Sequence, residues 1–110
     1  MTKVKANFTR DLEQLITEMG DENGVNFRRD LPPGTASWLL HEEHKQICHL
    51  QFVCPCGCGA VVLLPVSTVK ADNCWQWDGN VNLPTLSPSI QRTSGCRWHG
   101  YLRRGVFESV

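Results

Sequence analysis

The chain has 110 residues, 41% of them hydrophobic and 20% charged, a balance typical of one globular domain. Lysine plus arginine and aspartate plus glutamate number 11 each, which argues against a general electrostatic attraction to nucleic acid or to an anionic membrane. The apolar runs are far shorter than the roughly 20 residues of a membrane span, and the first residues lack the pattern of a secretory signal. We therefore expect one domain over residues 1–110, a cytoplasmic location and no membrane contact.

The first predicted element is an amphipathic helix over about residues 8–20. Thr9 is a suitable N-cap, and Gly20 supplies a stop signal. The apolar residues between these signals recur at helical spacing: Phe8, Leu12, Leu15, Ile16 and Met19. We expect this helix to pack on the protein's own core.

The remaining chain, from about residue 37 to residue 110, has the pattern of β structure. Residues 47–54 alternate with the period of a strand, and residues 60–66 form a second apolar strand after a glycine-rich turn. Residues 74–78, 98–102 and 106–110 continue this pattern, whereas the prolines in residues 84–90 favour a loop or an edge. The predicted fold class is α+β and mostly β: a small zinc-clamped antiparallel β domain with one N-terminal helix.

Two groups of residues have the composition of a zinc site. Cys54, Cys56 and Cys58 lie on the predicted hairpin tip, and Cys96 and His99 follow later as C-x-x-H. Clustered thiols in a cytoplasmic protein usually bind metal, and zinc prefers four thiolate or imidazole ligands in a tetrahedron. These five residues are candidates for four positions, and their spacing leaves open which four bind. We expect one zinc ion per chain.

Four blocks of sequence follow one another in the β-rich part: FVCPCGCG, WDGN, PTLSPSI and CRWHGYLRRGVF. Through these blocks, Gln46 to Phe107 resembles a family of small uncharacterised phage and bacterial proteins, some labelled "ammonia monooxygenase". The resemblance implies a compact β-rich zinc-binding domain, found in phage genomes and, in some bacteria, beside genes for ubiquitin-like conjugation. It also implies action in the host cytoplasm on an unknown protein partner, such as a host defence or conjugation component. It implies no particular reaction.

The sequence favours a protein-interaction module, similar to a zinc finger, in which a structural zinc ion clamps two hairpins. This interpretation leans away from an enzyme. The first alternative is a zinc-dependent hydrolase with an open metal position. In that case Asp78 would be the general base, and Thr85, Ser87 and Ser89 would orient the substrate.

The second alternative is a nucleic-acid-binding zinc domain. Four arginines close to Trp98 and Tyr101 in the sequence support it, since arginine pairs with phosphates and aromatic rings stack on bases. These arginines are Arg92, Arg97, Arg103 and Arg104.

Overall fold

The computed structural model describes residues 2–9, 31–41, 43, 45–92 and 95–110. Within these ranges the chain forms ten β-strands and no helix. The strands are β1 (Lys3–Lys5), β2 (Asn7–Phe8), β3 (Thr35–Leu40), β4 (Ile47–Val53), β5 (Val61–Ser67), β6 (Trp75–Trp77), β7 (Leu86–Ser87), β8 (Ile90–Gln91), β9 (His99–Arg103) and β10 (Val106–Ser109). No helix in these ranges has the length and apolarity needed to cross a membrane.

The strands form two sheets. One has six strands in the order β2-β3-β4-β5-β6-β7, and the other has four in the order β1-β10-β9-β8. Most neighbours are antiparallel, but β2 runs parallel to β3, and β5 runs parallel to β6. The prediction of an antiparallel domain is wrong at these two pairs, where contact extends over only two residues of each strand.

The two sheets share one apolar core. Phe52 of β4 and Phe107 of β10 are fully buried, and their ring centroids lie 4.7 Å apart. Leu50 of the larger sheet and Leu102 of the smaller sheet are also fully buried. Alternate residues of a strand point to opposite faces. Since Leu102 of β9 points into the core, its neighbours in β9 lie on the outer face of the smaller sheet.

The strand predictions from residue 47 onward are confirmed with small changes of boundary. Residues 47–54 correspond to β4, residues 60–66 to β5, and residues 74–78 to β6. The predicted final hairpin is formed by β9 and β10 around Arg104 and Gly105. Residues 84–90 contain the short strand β7 and the start of β8, and the Ser87–Pro88 peptide bond is cis.

The predicted α+β class is wrong for the described residues, which are all β. The helix was expected to begin near Phe8, but Phe8 belongs to β2, pairs with Ala36 and stacks on Trp38 at 5.4 Å. The Thr9 backbone N–H donates to the Ala36 carbonyl over 2.8 Å, so the sheet pairing continues where a helix cap was expected. Pairing and aromatic packing thus override the helical spacing at the start of the segment. Residues 10–20 of the predicted helix lie outside the described residues.

Candidate functional site

The turn between β4 and β5 carries three cysteines. It closes where the Cys54 N–H donates to the Ala60 carbonyl over 2.8 Å. Gly57 and Gly59 have φ values of 92° and 86°, a region that residues with side chains rarely adopt. The chain can therefore fold back tightly enough to direct several thiols to one point.

Cys96 joins these three thiols to form what we call the four-cysteine cluster: Cys54, Cys56, Cys58 and Cys96. All four Sγ atoms lie within 4.8 Å of one another, and Cys54 Sγ is 3.4 Å from Cys56 Sγ and 3.5 Å from Cys96 Sγ. Four thiolates at zinc–sulfur distances of about 2.3 Å would stand roughly 3.8 Å apart in a tetrahedron. The cluster therefore has the dimensions and the donor set to hold a metal ion.

Hydrogen-bond donors surround the cluster. The Cys58 backbone N–H donates to Cys56 Sγ over 3.4 Å, and the Ala60 backbone N–H donates to Cys58 Sγ over 3.4 Å. The Arg92 guanidinium donates to Cys96 Sγ over 2.9 Å and lies 3.7 Å from Cys58 Sγ. Such donors favour thiolates over neutral thiols, as a metal site requires.

The thiols differ in how readily they ionise. Burial raises the pKa of the Cys54 thiol. Burial also opposes ionisation of Cys96, but hydrogen bonds from the Trp98 backbone and from the Cys56 and Cys54 thiols outweigh it and lower the pKa of Cys96 to about 6. The lowered pKa favours the thiolate form of Cys96 at neutral pH.

A serine and a histidine meet beside this cluster. The Ser89 Oγ lies 3.0 Å from the Nε2 atom of His99. Both side chains are half-buried, so solvent and a substrate can reach them. Among the described residues His99 has no carboxylate partner, and the pair is therefore a Ser–His dyad. In the tautomer with the proton on Nδ1, Nε2 accepts a hydrogen bond from the serine hydroxyl.

Strands β8 and β9 hold the dyad in place. They are antiparallel neighbours, with Ile90 opposite Gly100 and Gln91 opposite His99. Ile90 and Gly100 are buried, which places His99 on the outer face of the sheet. Ser89, just before β8, is fixed at its backbone because the Trp75 indole N–H donates to its carbonyl over 3.3 Å.

The four-cysteine cluster and the dyad are connected through both strands. Cys96 lies three positions before His99, and Arg92 lies three positions after Ser89. Arg92 contacts Cys96 through its side chain and donates its backbone N–H to the Trp98 carbonyl over 2.9 Å. A change at the cluster therefore acts directly on the segments that carry Ser89 and His99.

The structure brings together only some of the residues singled out in the sequence. Asp78 Oδ1 accepts hydrogen bonds from the backbone N–H groups of Asn80 and Thr85 over 3.1 and 3.3 Å, which stabilises a turn. The Thr85 hydroxyl accepts the backbone N–H of Arg104 over 3.0 Å. Ser87 is exposed on β7. Of the four residues proposed for a hydrolase, Ser89 is the one that contacts a histidine.

Sequence reasoning named Ser89 and His99 separately but did not pair them. His99 was predicted as a zinc ligand because it follows Cys96 in a C-x-x-H spacing, and Ser89 was treated as one of several hydroxyls that orient a substrate. In the structure His99 Nε2 faces Ser89 Oγ, while Cys96, three positions earlier in the chain, lies among the other thiols. The register of β8 on β9 creates this pairing, and the spacing in the sequence gave no signal of that register.

Comparison with known proteins adds a second line of evidence. A family model described as bacterial ubiquitination-like system serine protease (BubE) matches residues 25–110. No curated protein and no solved structure gives a significant match to the chain.

The matched residues make up most of the chain and include the four-cysteine cluster and the dyad. The predicted function, a protein-interaction module clamped by structural zinc, is wrong, because this family is described as a serine protease. The alternatives of a zinc-dependent hydrolase and a nucleic-acid-binding domain disagree with the same description. The chain belongs to the BubE family of bacterial ubiquitination-like system serine proteases.

Proposed function

We propose that this protein is a serine peptidase in which Ser89 is the nucleophile and His99 is the general base. The observation that carries this proposal is the 3.0 Å contact between Ser89 Oγ and His99 Nε2. A nucleophile and a base within hydrogen-bonding distance are the minimum for activating a serine hydroxyl. The description of the family as a serine protease supports the same assignment.

In the first half of the reaction, Ser89 Oγ attacks the carbonyl carbon of a peptide bond. His99 Nε2 accepts the hydroxyl proton as the new C–O bond forms, and the carbonyl oxygen becomes an oxyanion. When the intermediate collapses, the C–N bond breaks, and His99 donates the proton to the departing amine. The products are an ester of Ser89 and the free amine.

In the second half, water enters in place of the amine. His99 Nε2 takes a proton from the water while the water oxygen attacks the ester carbonyl carbon. The C–O bond to Ser89 then breaks, Ser89 Oγ recovers the proton from His99, and the substrate leaves with a new carboxyl group. The enzyme returns to its starting protonation state.

Gln91 is a candidate donor for the oxyanion. It is directly opposite His99 in the β8–β9 register, and it is exposed on the face that His99 shares. Side chains of directly opposed residues have Cβ atoms roughly 5 Å apart, so its amide N–H₂ group can reach the neighbourhood of Ser89 Oγ. Glutamine is among the side chains that stabilise tetrahedral oxyanions.

The substrate we propose is a polypeptide of a bacterial ubiquitination-like system. The description of the family supports this class of substrate. The sequence analysis also named a conjugation component as a partner, which is the same class of protein as this substrate. A pocket of about 350 Å³ offers space for a substrate side chain, and it is lined by Asn73, Cys74, Trp75 and Pro88, the last of which precedes Ser89 in the chain.

The metal that we propose for the four-cysteine cluster is zinc. Four thiolates in a tetrahedral set are the usual ligands of a structural zinc ion, and they leave no position for a catalytic water. When bound, the ion supplies a link between the β4–β5 turn and the segment that precedes β9. Serine chemistry at Ser89 then needs no metal-bound nucleophile.

The test of the dyad compares Ser89→Ala with Ser87→Ala. Both changes remove one hydroxyl from the same short segment, but only Ser89 contacts His99. We expect Ser89→Ala to lose covalent labelling by a fluorophosphonate probe. We also expect Ser89→Ala and His99→Ala each to lower the cleavage of a protein-derived peptide mixture by about 10³-fold or more, because the nucleophile and the base act together. Ser87→Ala should retain both properties.

Mass spectrometry of the labelled wild-type protein identifies the modified residue. Modification of Ser89 supports the proposal. Two results would overturn it. One is a wild-type protein that is neither labelled nor active. The other is a Ser89→Ala variant that is labelled and cleaves peptides as well as Ser87→Ala does.

Metal analysis tests the zinc assignment separately. We expect about one zinc ion per chain in the wild-type protein and in His99→Ala, and a loss of zinc in Cys96→Ser, because the four sulfurs form the complete set. Loss of zinc from His99→Ala would show that the imidazole is a ligand, as the sequence spacing suggested, and would contradict its role as a base.

A further inference from the structure

The outer face of the four-stranded sheet carries more than the dyad. Along β9, Gly100 and Leu102 point into the core, so that His99, Tyr101 and Arg103 share the outer face. His99 lies at one end of this row and Arg103 at the other. Four residues of a strand span about 13 Å, which is the length of four residues of an extended peptide.

Residues 85–89 run alongside the same row. At one end the Thr85 hydroxyl accepts the backbone N–H of Arg104, and at the other end Ser89 Oγ contacts His99 Nε2. These two contacts tie the ends of residues 85–89 to the two ends of β9, and we call the outer face of β9 between them the track. A peptide that lies on this track with its scissile bond at Ser89 therefore passes Arg103 and Arg104.

An open pocket occupies the end of the track away from the dyad. Its volume is about 490 Å³, and it is lined by Lys3, Thr85, Arg103, Arg104, Val106 and Glu108. Three of these residues are cationic and one is anionic, whereas the whole chain has no net formal charge. The positive charge is therefore concentrated here, on the same face as the dyad.

The single carboxylate does not neutralise the pocket. Glu108 lies 3.5 Å from the Arg103 guanidinium and 3.9 Å from the Lys3 ammonium group, so that it is shared between two cations. In the described part of the chain the Arg104 guanidinium has no ion-pair partner. At least one full positive charge remains available to a ligand.

The position of Arg103 is defined by more than its ion pair. The central carbon of its guanidinium lies 4.0 Å from the centre of the Tyr101 ring, a distance typical of a cation–π contact. This contact places the guanidinium over the Tyr101 ring on the outer face, and one of its Nη atoms donates to Glu108 over 3.5 Å. A carboxylate can then bind two of its N–H groups at once.

We infer that this basic pocket is a subsite for an acidic side chain of the substrate, about four residues from the bond that is cleaved. The inference rests on the proposed peptidase function and deepens it: the substrate class is a polypeptide with Asp or Glu at that distance from the scissile bond. Arg103 and Arg104 bind the carboxylate, and Lys3 adds to the local potential.

Binding is measured on Ser89→Ala protein, so that no cleavage interferes. The probe is a fluorescent decapeptide that carries two glutamates, compared by anisotropy with the same peptide carrying glutamines. We expect the acidic peptide to bind at least about tenfold more tightly at low salt, and the difference to shrink as ionic strength rises.

The matched variants remove charge without a large change in shape. In the Ser89→Ala background, Arg103→Gln combined with Arg104→Gln should abolish the preference for the acidic peptide. Lys45→Gln removes one exposed cation from the β3–β4 connection and should leave the preference intact. Equal affinity for the two peptides, or a preference that survives the loss of both arginines, overturns the inference. Tighter binding of a single-stranded oligonucleotide than of the acidic peptide would also overturn it, in favour of a phosphate-binding surface.

Cleavage of a peptide library separates this inference from the proposed function. We expect sites cut by the wild-type protein to be enriched in Asp or Glu about four residues from the cut, and the double variant to cut without this enrichment. Cleavage with no acidic preference overturns the subsite alone. A failure of the wild-type protein to cleave any peptide counts against the peptidase, and the anisotropy comparison then decides whether the pocket binds carboxylates.

Discussion

Trp75 fixes the nucleophile through a single hydrogen bond. Its indole N–H donates to the Ser89 carbonyl over 3.3 Å, and Trp75 lines the same pocket as Pro88, the residue before Ser89. The carbonyl of a residue moves with its Cα, so this bond restricts where Oγ can lie relative to His99. A displacement of the nucleophile by about 1 Å is enough to lower turnover by two orders of magnitude.

Trp75→Phe tests this role at the scale of one residue, because it keeps an aromatic ring but removes the donor. We expect the rate of fluorophosphonate labelling of Ser89 to fall about tenfold, with a loss of stability of only about 1 kcal/mol. The control is Trp77→Phe, which removes an equivalent indole hydrogen bond, to the Asn80 carbonyl at 3.0 Å, without touching Ser89. If both variants lower labelling equally, the effect is one of general packing and Trp75 has no specific role in positioning Ser89.

Strand β9 requires a glycine beside His99, the proposed general base. A Cβ atom at Gly100 would meet the Glu108 carbonyl oxygen of β10 and would lie 2.5 Å from the Trp98 ring. Backbone atoms of a paired strand cannot move aside without breaking the ladder. The close approach of β9 to β10 is therefore tied to the absence of a side chain next to His99.

Gly100→Ala tests this requirement at the scale of the strand. Over-packing at a backbone contact should lower the free energy of unfolding by about 2 kcal/mol or more and should displace His99. Chemical denaturation gives the free energy of unfolding, and the rate of fluorophosphonate labelling of Ser89 reports the displacement of His99. Gly79→Ala is the matched control: its φ of 86° costs about 1 kcal/mol, but the nearest atom to a new Cβ is 3.7 Å away and belongs to Thr68, not to the dyad. Labelling unchanged in Gly100→Ala would contradict the requirement.

The four-cysteine cluster joins the two sheets of the molecule. Three of its thiols lie in the turn between β4 and β5 of the six-stranded sheet, and Cys96 lies just before β9 of the four-stranded sheet. Together with the shared core and the hydrogen bond from Trp75 to the Ser89 carbonyl, the cluster links the two sheets. With a metal ion bound, it would resist separation of the sheets at the edge where Ser89 and His99 meet.

Removal of the metal tests this connection at the scale of the whole molecule. We expect a chelator to lower the melting temperature and to abolish labelling of Ser89, and added zinc to restore both. Ser89→Ala protein treated in the same way should show the same fall in melting temperature, which separates the structural effect from the chemistry. Full labelling of a metal-free protein would contradict the proposed link between cluster and dyad.

The pH dependence of metal binding belongs to the same scale. Because the pKa of Cys96 is lowered to about 6, its thiolate is present at neutral pH and is lost as the pH falls through that value. Metal content measured between pH 8 and pH 5 should therefore fall towards the acidic end, since protons compete with the metal for the sulfurs.

The sequence by itself determined the β elements from residue 47 onward, since their alternation reflects one buried and one exposed face. It also indicated metal binding by Cys54, Cys56 and Cys58, because three thiols in a glycine-rich turn are chemically distinctive. It failed at Phe8, whose spacing fits a helix but whose ring is held in a sheet by Trp38 and Ala36. There, contacts with residues far along the chain outweigh local preference.

Only the tertiary structure decided the pairing of Ser89 with His99. Ser89 and His99 are ten positions apart, and their contact depends on the register of β8 against β9, which a shift of one residue would destroy. Cys96 joins the other thiols, whereas His99 is not part of that cluster and contacts Ser89 instead. Ligand chemistry can be recognised from residue types and local spacing, but a dyad formed across two strands exists only once those strands are paired.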